Sequence, residues 1–401
     1  MSETQKHTKP NVPNLRFPGF SGEWESRKIG EDCSVLMCKR IFANQTSEQG
    51  EVPFHKIGTI GAEPDAYISR ELFEEYKAKY NYPRKGEVMV TCAGTVGKTI
   101  VFDGKDSYYQ DSNIVWLSNP KQLYVNPFLN YFLSRVNWNK LNSTTITRIY
   151  NDNLRELIIK YPSVKEQEKI VSLLSLLDQR IAVQSKVIED LKKLKAALND
   201  RLHKQFGNGQ ILSFSEIGDS YSGLSGKSSE DFGDGSPFVT YTNIYTNDVV
   251  DESDYGYVRI NDGESQNQVQ YGDLLFTLSS ETPDEVGVGS VYLGSSKELY
   301  LNSFSFGIHI KRTDIVFPPY LAHLVSSKKF RRFIYPFAQG STRYNLQKHD
   351  FETTKYSFPI YEDQVKICSV LDSISKKIAY ENDLLRSWSN MKQYLLYQLF
   401  I

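Results

Sequence analysis

Cysteine is scarce in this 401-residue sequence: Cys33, Cys38, Cys92 and Cys368 are the whole set, and no two form a C-x-x-C pair. That excludes a disulfide-stapled scaffold and fits free thiols in a reducing compartment. Long apolar runs are missing, so nothing reads as a membrane span or as the hydrophobic stretch of a signal peptide. The expectation is a soluble cytoplasmic protein with no membrane partner. A basic excess is missing too, with 47 Lys and Arg against 48 Asp and Glu. The balance is uneven, 30 against 24 over residues 1–207 and 17 against 24 over 208–401. A protein that grips nucleic acid unaided usually shows a clear surplus of positive charge. Either nucleic acid is not the ligand, or partner subunits supply most phosphate contacts.

Catalytic signatures are missing as well. There is no G-x-S-x-G elbow, no dinucleotide fingerprint and no N/D-P-P-[FYW] motif. The six histidines, His7, His55, His203, His309, His323 and His349, are scattered, with no two at metal-ligand spacing. Gly94-Thr95-Val96-Gly97-Lys98-Thr99 resembles a phosphate loop, but Cys92 occupies the place of its first glycine and a β-type run, not a helix, follows. A turn between two strands explains it better. Asp65, Glu75 and Lys77 fit the loose P-D…E-x-K pattern of metal-dependent nucleases, whose carboxylates hold Mg²⁺ beside a lysine. That pattern is short, and Leu72 to Lys77 reads as helix rather than as the usual strand pair. No constellation points to catalysis or to a bound metal in this chain.

What is present is a repeat. From Pro162 to Phe206 an apolar seam recurs at alternating steps of four and three: Ile170, Leu174, Leu177, Ile181, then Gln184, then Ile188, Leu191, Lys195, Leu198 and Leu202. Ser163 and Glu166 have capping-box spacing ahead of it, and Gly207 supplies a stop. A shift of 197 residues returns the same seam: Ile367, Leu371, Ile374, Ile378, Glu381, Leu385, Trp388, Lys392, Leu395 and Leu399. Even the polar steps coincide, as do Pro162 and Pro359. Such a register marks a duplicated half-chain.

The globular parts repeat as well. Residues 28–160 show short β-type runs, among them Pro53 to Ile60, Glu87 to Cys92, Lys98 to Phe102 and Asn113 to Leu117, with a helix from Pro127 to Ser134. Gly86-Glu87-Val88-Met89-Val90-Thr91 is matched by Gly272-Asp273-Leu274-Leu275-Phe276-Thr277, Pro127-Phe128-Leu129 by Pro319-Tyr320-Leu321, Ile29-Gly30 by Ile217-Gly218, and Thr147-Arg148 by Thr342-Arg343. Ahead of the first part, Met1 to Pro13 reads as a loose polar arm, and the aromatics of Leu15 to Glu25 read as a staple onto a domain. The expected fold is α+β: two similar globular α/β domains, 1–161 and 207–358, separated by two long helices, 162–206 and 359–401. Because the second domain is tethered between the end of one helix and the start of the other, paired seams must run antiparallel as a coiled coil, and the halves are related by a pseudo-two-fold repeat.

Two matched domains without catalytic motifs suit a bivalent reader; the alternative of a coiled-coil scaffold with no nucleic-acid role gives no reason for two matched domains with divergent loops. Cations beside aromatics or Thr in loops are candidates for nucleic-acid contact: Lys39, Arg40, Lys56, Arg84, Lys98, Arg148 and Tyr150 in the first half. Lys227, Thr240, Thr242, Asn243, Arg343, Tyr344 and Asn345 are their counterparts in the second. Any one of them alone reads as a solvated loop residue; the set is informative because the scaffold repeats while the loops differ.

Leu15-Arg16-Phe17-Pro18-Gly19-Phe20-Ser21-Gly22-Glu23-Trp24, the tandem half-repeat, and helices opened by Pro162…Glu166-Gln167-Glu168-Lys169-Ile170 and Pro359…Glu362-Asp363-Gln364-Val365-Lys366-Ile367 together resemble the specificity subunit of Type I restriction–modification systems. The resemblance covers nearly the entire chain. It implies that each globular domain is a target recognition domain reading one half of a split sequence in double-stranded DNA, with the coiled coil setting the unread gap. It further implies two modification (methyltransferase) subunits carrying S-adenosylmethionine for adenine methylation, and restriction/translocase subunits using ATP and Mg²⁺. On this reading the chain itself is non-catalytic and binds no cofactor.

Overall fold

Gly, Asn and Pro cut the chain ahead of the first long helix into short elements. In order these are β1 (Glu25–Lys28), α1 (Ile29–Asp32), β2 (Ser34–Met37), β3 (Val52–His55), β4 (Tyr67–Ile68), α2 (Arg70–Lys79), β5 (Val88–Thr91), β6 (Thr99–Val101), β7 (Tyr108–Tyr109), β8 (Ile114–Ser118), α3 (Asn126–Ser134), α4 (Asn151–Arg155) and β9 (Ile158–Tyr161), followed by the helix α5 (Val164–Phe206). The second half gives β10 (Gln210–Leu212), α6 (Phe214–Ile217), β11 (Gly218–Ser222), β12 (Phe232–Val239), α7 (Tyr241–Thr246), β13 (Tyr255–Val258), β14 (Leu274–Thr277), β15 (Ser279–Ser280), β16 (Gly289–Val291), β17 (Tyr300–Leu301) and β18 (Ser305–Ile310). It ends with α8 (Pro318–Val325), α9 (Lys328–Ile334), β19 (Ala338–Gly340), β20 (Tyr344–Leu346), α10 (Lys348–Thr353), β21 (Tyr356–Phe358) and α11 (Tyr361–Leu399). This computed structural model describes residues 11–138, 148–207 and 209–401; most of the N-terminal arm and Thr147 lie outside them. Contacts divide the chain into unit 1, Met1–Val183 with Leu385–Ile401, and unit 2, Gln184–Leu384.

Unit 1 is built on an antiparallel four-stranded sheet of order β2-β8-β5-β6. Successive side chains of a strand point to opposite faces, and here both faces are covered. Val88, Val90, Val115 and Leu117 join one core with Trp24, Phe128, Leu129 and the long helices, whereas Met89, Ile114 and Trp116 join another with Phe54, Ile68 and Phe73. A smaller sheet, β4-β3-β7, pairs β3 with β7 in parallel, and β1 closes on β9. The run expected from Pro53 to Ile60 ends as a strand at His55, because the Thr59 hydroxyl accepts the Lys56 N–H at 3.0 Å and turns the chain. Gly94 to Lys98 is the turn between the antiparallel partners β5 and β6. Gly97 sits there at φ +80°, with a Cβ at that place only 2.0 Å from the buried Trp138 ring, so a side chain is excluded.

Unit 2 repeats the plan with sheets β11-β18-β14-β16 and β13-β12-β17, the latter again with one parallel pair. Leu274 and Phe276 face one core and Leu275 the other. Gly86 and Gly272, at φ +91° and +88°, make the same turn into β5 and β14. The carboxylates that follow accept the N–H three residues back: Arg84 to Glu87 at 2.8 Å, Gln270 to Asp273 at 2.8 Å. One expected match shifts. Ile29 opens the short turn α1 whereas Ile217 closes α6, so the element order pairs Ile29 with Phe214.

The long helices pack on each other within each unit, and numbers rise along one as they fall along the other. In unit 1 the Arg180 guanidinium lies 6.0 Å from the Trp388 ring centroid, and Leu174 shares a core with Leu395 and Leu399. In unit 2 Gln184 donates to the Glu381 carbonyl at 3.0 Å and to its carboxylate, while Leu198 and Leu202 pack with Ile367 and Leu371. All the named seam positions are buried or half-buried, including Leu177, Ile181, Ile188, Leu191, Ile374, Ile378 and Leu385. Fully burying such a side chain stabilises by ~1.5–3 kcal/mol.

The helix starts differ in one respect from the expected capping box. The Glu166 N–H does reach the Ser163 hydroxyl at 3.4 Å, but the Glu166 carboxylate forks onto Arg16, with Nε and Nη2 each 2.8 Å from an oxygen. Arg16 also donates to the Gly22 and Ser21 carbonyls. The N-terminal motif is thereby pinned to the start of α5, with Trp24 edge-on to Phe128 and Phe128 stacked on Phe400 at 4.8 Å.

Candidate nucleic-acid interface

In each unit a buried anchor fixes a returning segment beside the central strand. The Ile149 N–H donates to the Cys92 carbonyl (2.9 Å) just past β5, and the Leu346 N–H to the Leu278 carbonyl (2.8 Å) just past β14. Both apolar side chains are buried. The residues beside each anchor are carried to the surface.

In unit 1 these are Arg148, half-buried, and Tyr150, 62% exposed. The Arg148 guanidinium lies 6.0 Å from the Tyr150 ring centroid, and its Nη2 is 3.4 Å from the Ser112 hydroxyl. Ser112 is at φ +41°, a left-handed conformation that a serine adopts only when its surroundings impose it. Residues 110–112 also receive other candidates. Arg40 pairs with Asp111 at 2.7 Å, and the Gln110 side chain accepts the Ile57 N–H in the turn that carries Lys56. Lys98 donates to the Ile60 carbonyl of that turn at 2.7 Å, and Lys56 pairs with Asp65 at 3.2 Å. Arg40, Lys56, Lys98 and Arg148 therefore gather around residues 56–61 and 110–112. Lys39, next to Arg40, lies 5.5 Å from the Tyr80 ring centroid. Arg84 stands apart: it precedes β5, at the opposite end of the strand from Cys92, in a 660 Å³ cavity with Asn126 and Glu168.

In unit 2 the anchor places β20 against β15, with Tyr344 opposite Ser280 and Asn345 opposite Ser279. Arg343 is exposed, and its Nε donates to the Ser279 hydroxyl at 3.1 Å. Tyr241 donates to the Ser279 carbonyl at 2.8 Å and stacks on Tyr245, which donates to Glu285 at 2.7 Å. Hydrogen bonds from Tyr245, Thr282 and Ser280 hold the Glu285 carboxyl below its ordinary value, so it stands ionised as an acceptor. Thr240 caps α7 through the Asn243 N–H and Thr242 lies exposed on its first turn. Thr240, Thr242, Arg343, Tyr344 and Asn345 are thus brought to one surface.

Two candidates are corrected. The Lys227 side chain is 4% exposed and is held by the Arg259 carbonyl (2.6 Å) and the Glu264 carboxylate (2.5 Å). Asn243 is fully buried; its amide donates to the Asp251 and Asp254 carbonyls and its oxygen accepts the Asp251 N–H. Both side chains are buried and fasten loops rather than face outward. The expected match of Arg148 with Arg343 shifts as well, since the Ile149 and Leu346 anchors put Arg148 in register with Asn345. Ser112, Ser279 and Glu285 carry no sequence signal that sets them apart, whereas Tyr245 stands four residues from Tyr241 on one helix.

The nuclease pattern does not assemble. Asp65 pairs with Lys56, Glu75 with Lys79, and Lys77 with Asp106. Each has its own partner in a separate ion pair. Cys33, Cys38, Cys92 and Cys368 are free and buried, and burial pushes the Cys92 thiol up to about 11.

The type I restriction modification DNA specificity domain matches this chain twice, over residues 21–193 and 215–387. The chain belongs to that family. A Haemophilus influenzae protein named as a type I restriction enzyme specificity subunit is 51% identical over 147 residues, 37% of this chain and 38% of that protein. The match thus spans under half of that relative. The S subunit of a type I restriction–modification system from M. genitalium shares the fold with TM-score 0.53 at 17% identity, covering 97% of this chain and 99% of that one. A chain from a study of complex assembly in the type I system shares it with TM-score 0.59 at 16% identity, covering 96% and 98%. Specificity subunits of type I systems are non-catalytic DNA-recognition subunits, so neither a nuclease nor a bare coiled-coil scaffold is favoured. Family membership is consistent with a chain that carries no cofactor of its own. Among the described residues no helix is long and apolar enough to cross a membrane.

Proposed function

We propose that this specificity-family chain reads a split sequence in double-stranded DNA, one half by each globular domain, 1–161 and 207–358, with the long helices 162–206 and 359–401 as spacer. The observation that supports this most is the contrast between scaffold and surface. Units 1 and 2 share sheet order and helix-start bonds, yet present Arg148, Tyr150, Arg40, Lys56 and Lys98 in one and Arg343, Asn345, Thr242, Tyr241 and Glu285 in the other. Arg and Asn can read guanine and adenine edges, and an ionised Glu accepts from the cytosine amino group. The near-zero net charge fits a subunit whose partners carry much of the phosphate binding.

The partners are two modification subunits that bring S-adenosylmethionine for adenine methylation, and restriction/translocase subunits that use ATP and Mg²⁺, all in the cytoplasm. Selection of random duplexes by the chain assembled with its modification subunit tests the reading. Two short conserved blocks separated by a fixed unconserved gap are expected. A single block, or no enrichment, contradicts it.

A further inference from the structure

Unit 2 carries a side-chain cluster with no counterpart among the described residues of unit 1. His323 on α8, and Cys368 and Asp372 on α11, bring an imidazole nitrogen, a thiol sulfur and a carboxylate oxygen within 4.8 Å of one another. Cys368 and Asp372 stand one turn apart, so both face α8 from one side of α11. His323 and Cys368 are buried and Asp372 is at the margin. His323 Nε2 lies 2.8 Å from Asp372 Oδ1, while its buried Nδ1 has no hydrogen-bond partner among the described residues.

The internal repeat tells what this helix contact needs in order to fold. Phe128 stacks on Phe400 in unit 1 as Tyr320 stacks on His203 in unit 2, which puts α3 in register with α8 and α5 with α11. The places of His323, Cys368 and Asp372 are then taken by Tyr131, Val171 and Ser175. Tyr131 donates to Asp178 at 2.6 Å, Val171 packs against the core, and Ser175 bonds the Ser172 carbonyl. The same contact therefore forms with a phenol, an isopropyl group and a hydroxymethyl group. Packing alone does not call for three metal-ligating groups at three separate positions that converge.

We propose that His323, Cys368 and Asp372 form a site for one late first-row divalent ion, zinc being the natural occupant, which ties α8 to α11. The donor set decides the class. Thiolate and imidazole select zinc and its neighbours, whereas Mg²⁺ and Ca²⁺ take oxygen ligands. Three protein ligands leave a fourth tetrahedral position for water. Bonds of about 2.0–2.3 Å require the three donors to close by roughly 1 Å, within the reach of side-chain rotation. On binding, the Cys368 S–H bond breaks, its proton goes to solvent and a sulfur–metal bond forms. The imidazole enters neutral, the carboxylate ionised, and nothing is oxidised or reduced. The site is independent of how the chain reads DNA.

Cobalt(II) is the probe. The full chain, reduced and stripped with a chelator, is titrated with Co²⁺ and followed by absorption. One equivalent should give the intense visible bands of tetrahedral cobalt with a near-ultraviolet sulfur-to-metal band, and zinc should abolish both. The repeat supplies variants compatible with the fold, C368V and H323Y. Each should keep the wild-type circular dichroism, lose the sulfur band or the tetrahedral bands, and bind at least about tenfold more weakly. An octahedral spectrum without the sulfur band, no stoichiometric binding, or a sulfur band that survives C368V overturns the proposal. In those cases His323 and Asp372 are a hydrogen-bonded pair and nothing more.

Discussion

Gln167 and Gln364 make the same three hydrogen bonds at the starts of the two long helices. The Gln167 amide donates to the Leu123 and Pro162 carbonyls and accepts the Val125 N–H, each at 2.9 Å. Gln364 donates to the Ile315 and Pro359 carbonyls at 2.9 and 2.8 Å and accepts the Phe317 N–H at 2.8 Å. Both side chains are completely buried. Each locks its long helix to the segment entering α3 or α8. Replacing either by Ala strands three buried backbone groups, so Q167A and Q364A should each cost about 2–4 kcal/mol in urea unfolding. A loss below about 0.5 kcal/mol would show that water takes over the bonds.

Arg16 and Glu166 form a bidentate pair with side chains 15% and 2% exposed. Removing one member of a buried pair leaves the other charge uncompensated, which costs about 3–5 kcal/mol. R16A should lower the melting temperature clearly and expose the N-terminal segment to protease. R16M combined with E166L should recover much of the loss, because the charge is then removed from both sides.

His203 is stacked on Tyr320, and burial pulls its imidazole down from 6.5 to about 4, with Lys329 and His323 adding to the effect. The unfolded chain takes up a proton near pH 6.5 that the folded chain refuses until about pH 4. The stabilisation is therefore complete above pH 6.5 and is lost as pH falls through that window. H203F, the aromatic found at the matching position Phe400, should flatten the fall in melting temperature between pH 6.5 and 4. An unchanged slope would place the titration elsewhere.

Much of this was legible in the sequence. The seam was readable because burial at alternating steps of four and three leaves an apolar trace, and α3 because Pro127 marks its first turn. The antiparallel pairing followed from chain connectivity. Arg148 and Tyr150 were candidates because a cation stands beside an aromatic, and the fold carries both to the surface. Lys227 and Asn243 look like surface readers in sequence, yet Glu264 and the Asp251 and Asp254 carbonyls claim them, and those partners are brought near only by the fold. Ser112 and Ser279 were invisible for the converse reason: a serine has no pattern, and tertiary placement gives each its guanidinium. His323 and Cys368 come from different helices, so spacing along the chain could not join them.

Arg148 and Arg343 should behave as phosphate or base contacts, and Lys227 should not. R148A and R343A should each weaken DNA binding by the assembled complex and reduce the slope of log K against log salt by about 1 if the contact is to phosphate. A changed sequence preference with an unchanged slope assigns the residue to base reading. K227M should leave the salt slope as it is and loosen the loops around Arg259 and Glu264, seen as faster amide exchange there.

Sequencing of methylated DNA from cells that express the chain with its modification subunit tests the central claim most directly, when repeated after exchanging residues 15–161 for those of another specificity subunit. One modified adenine in each half of a split motif is expected. The exchange should replace one half-sequence and leave the other half and the gap as they were. If both halves change together, or neither does, the two domains are not independent readers and the account fails.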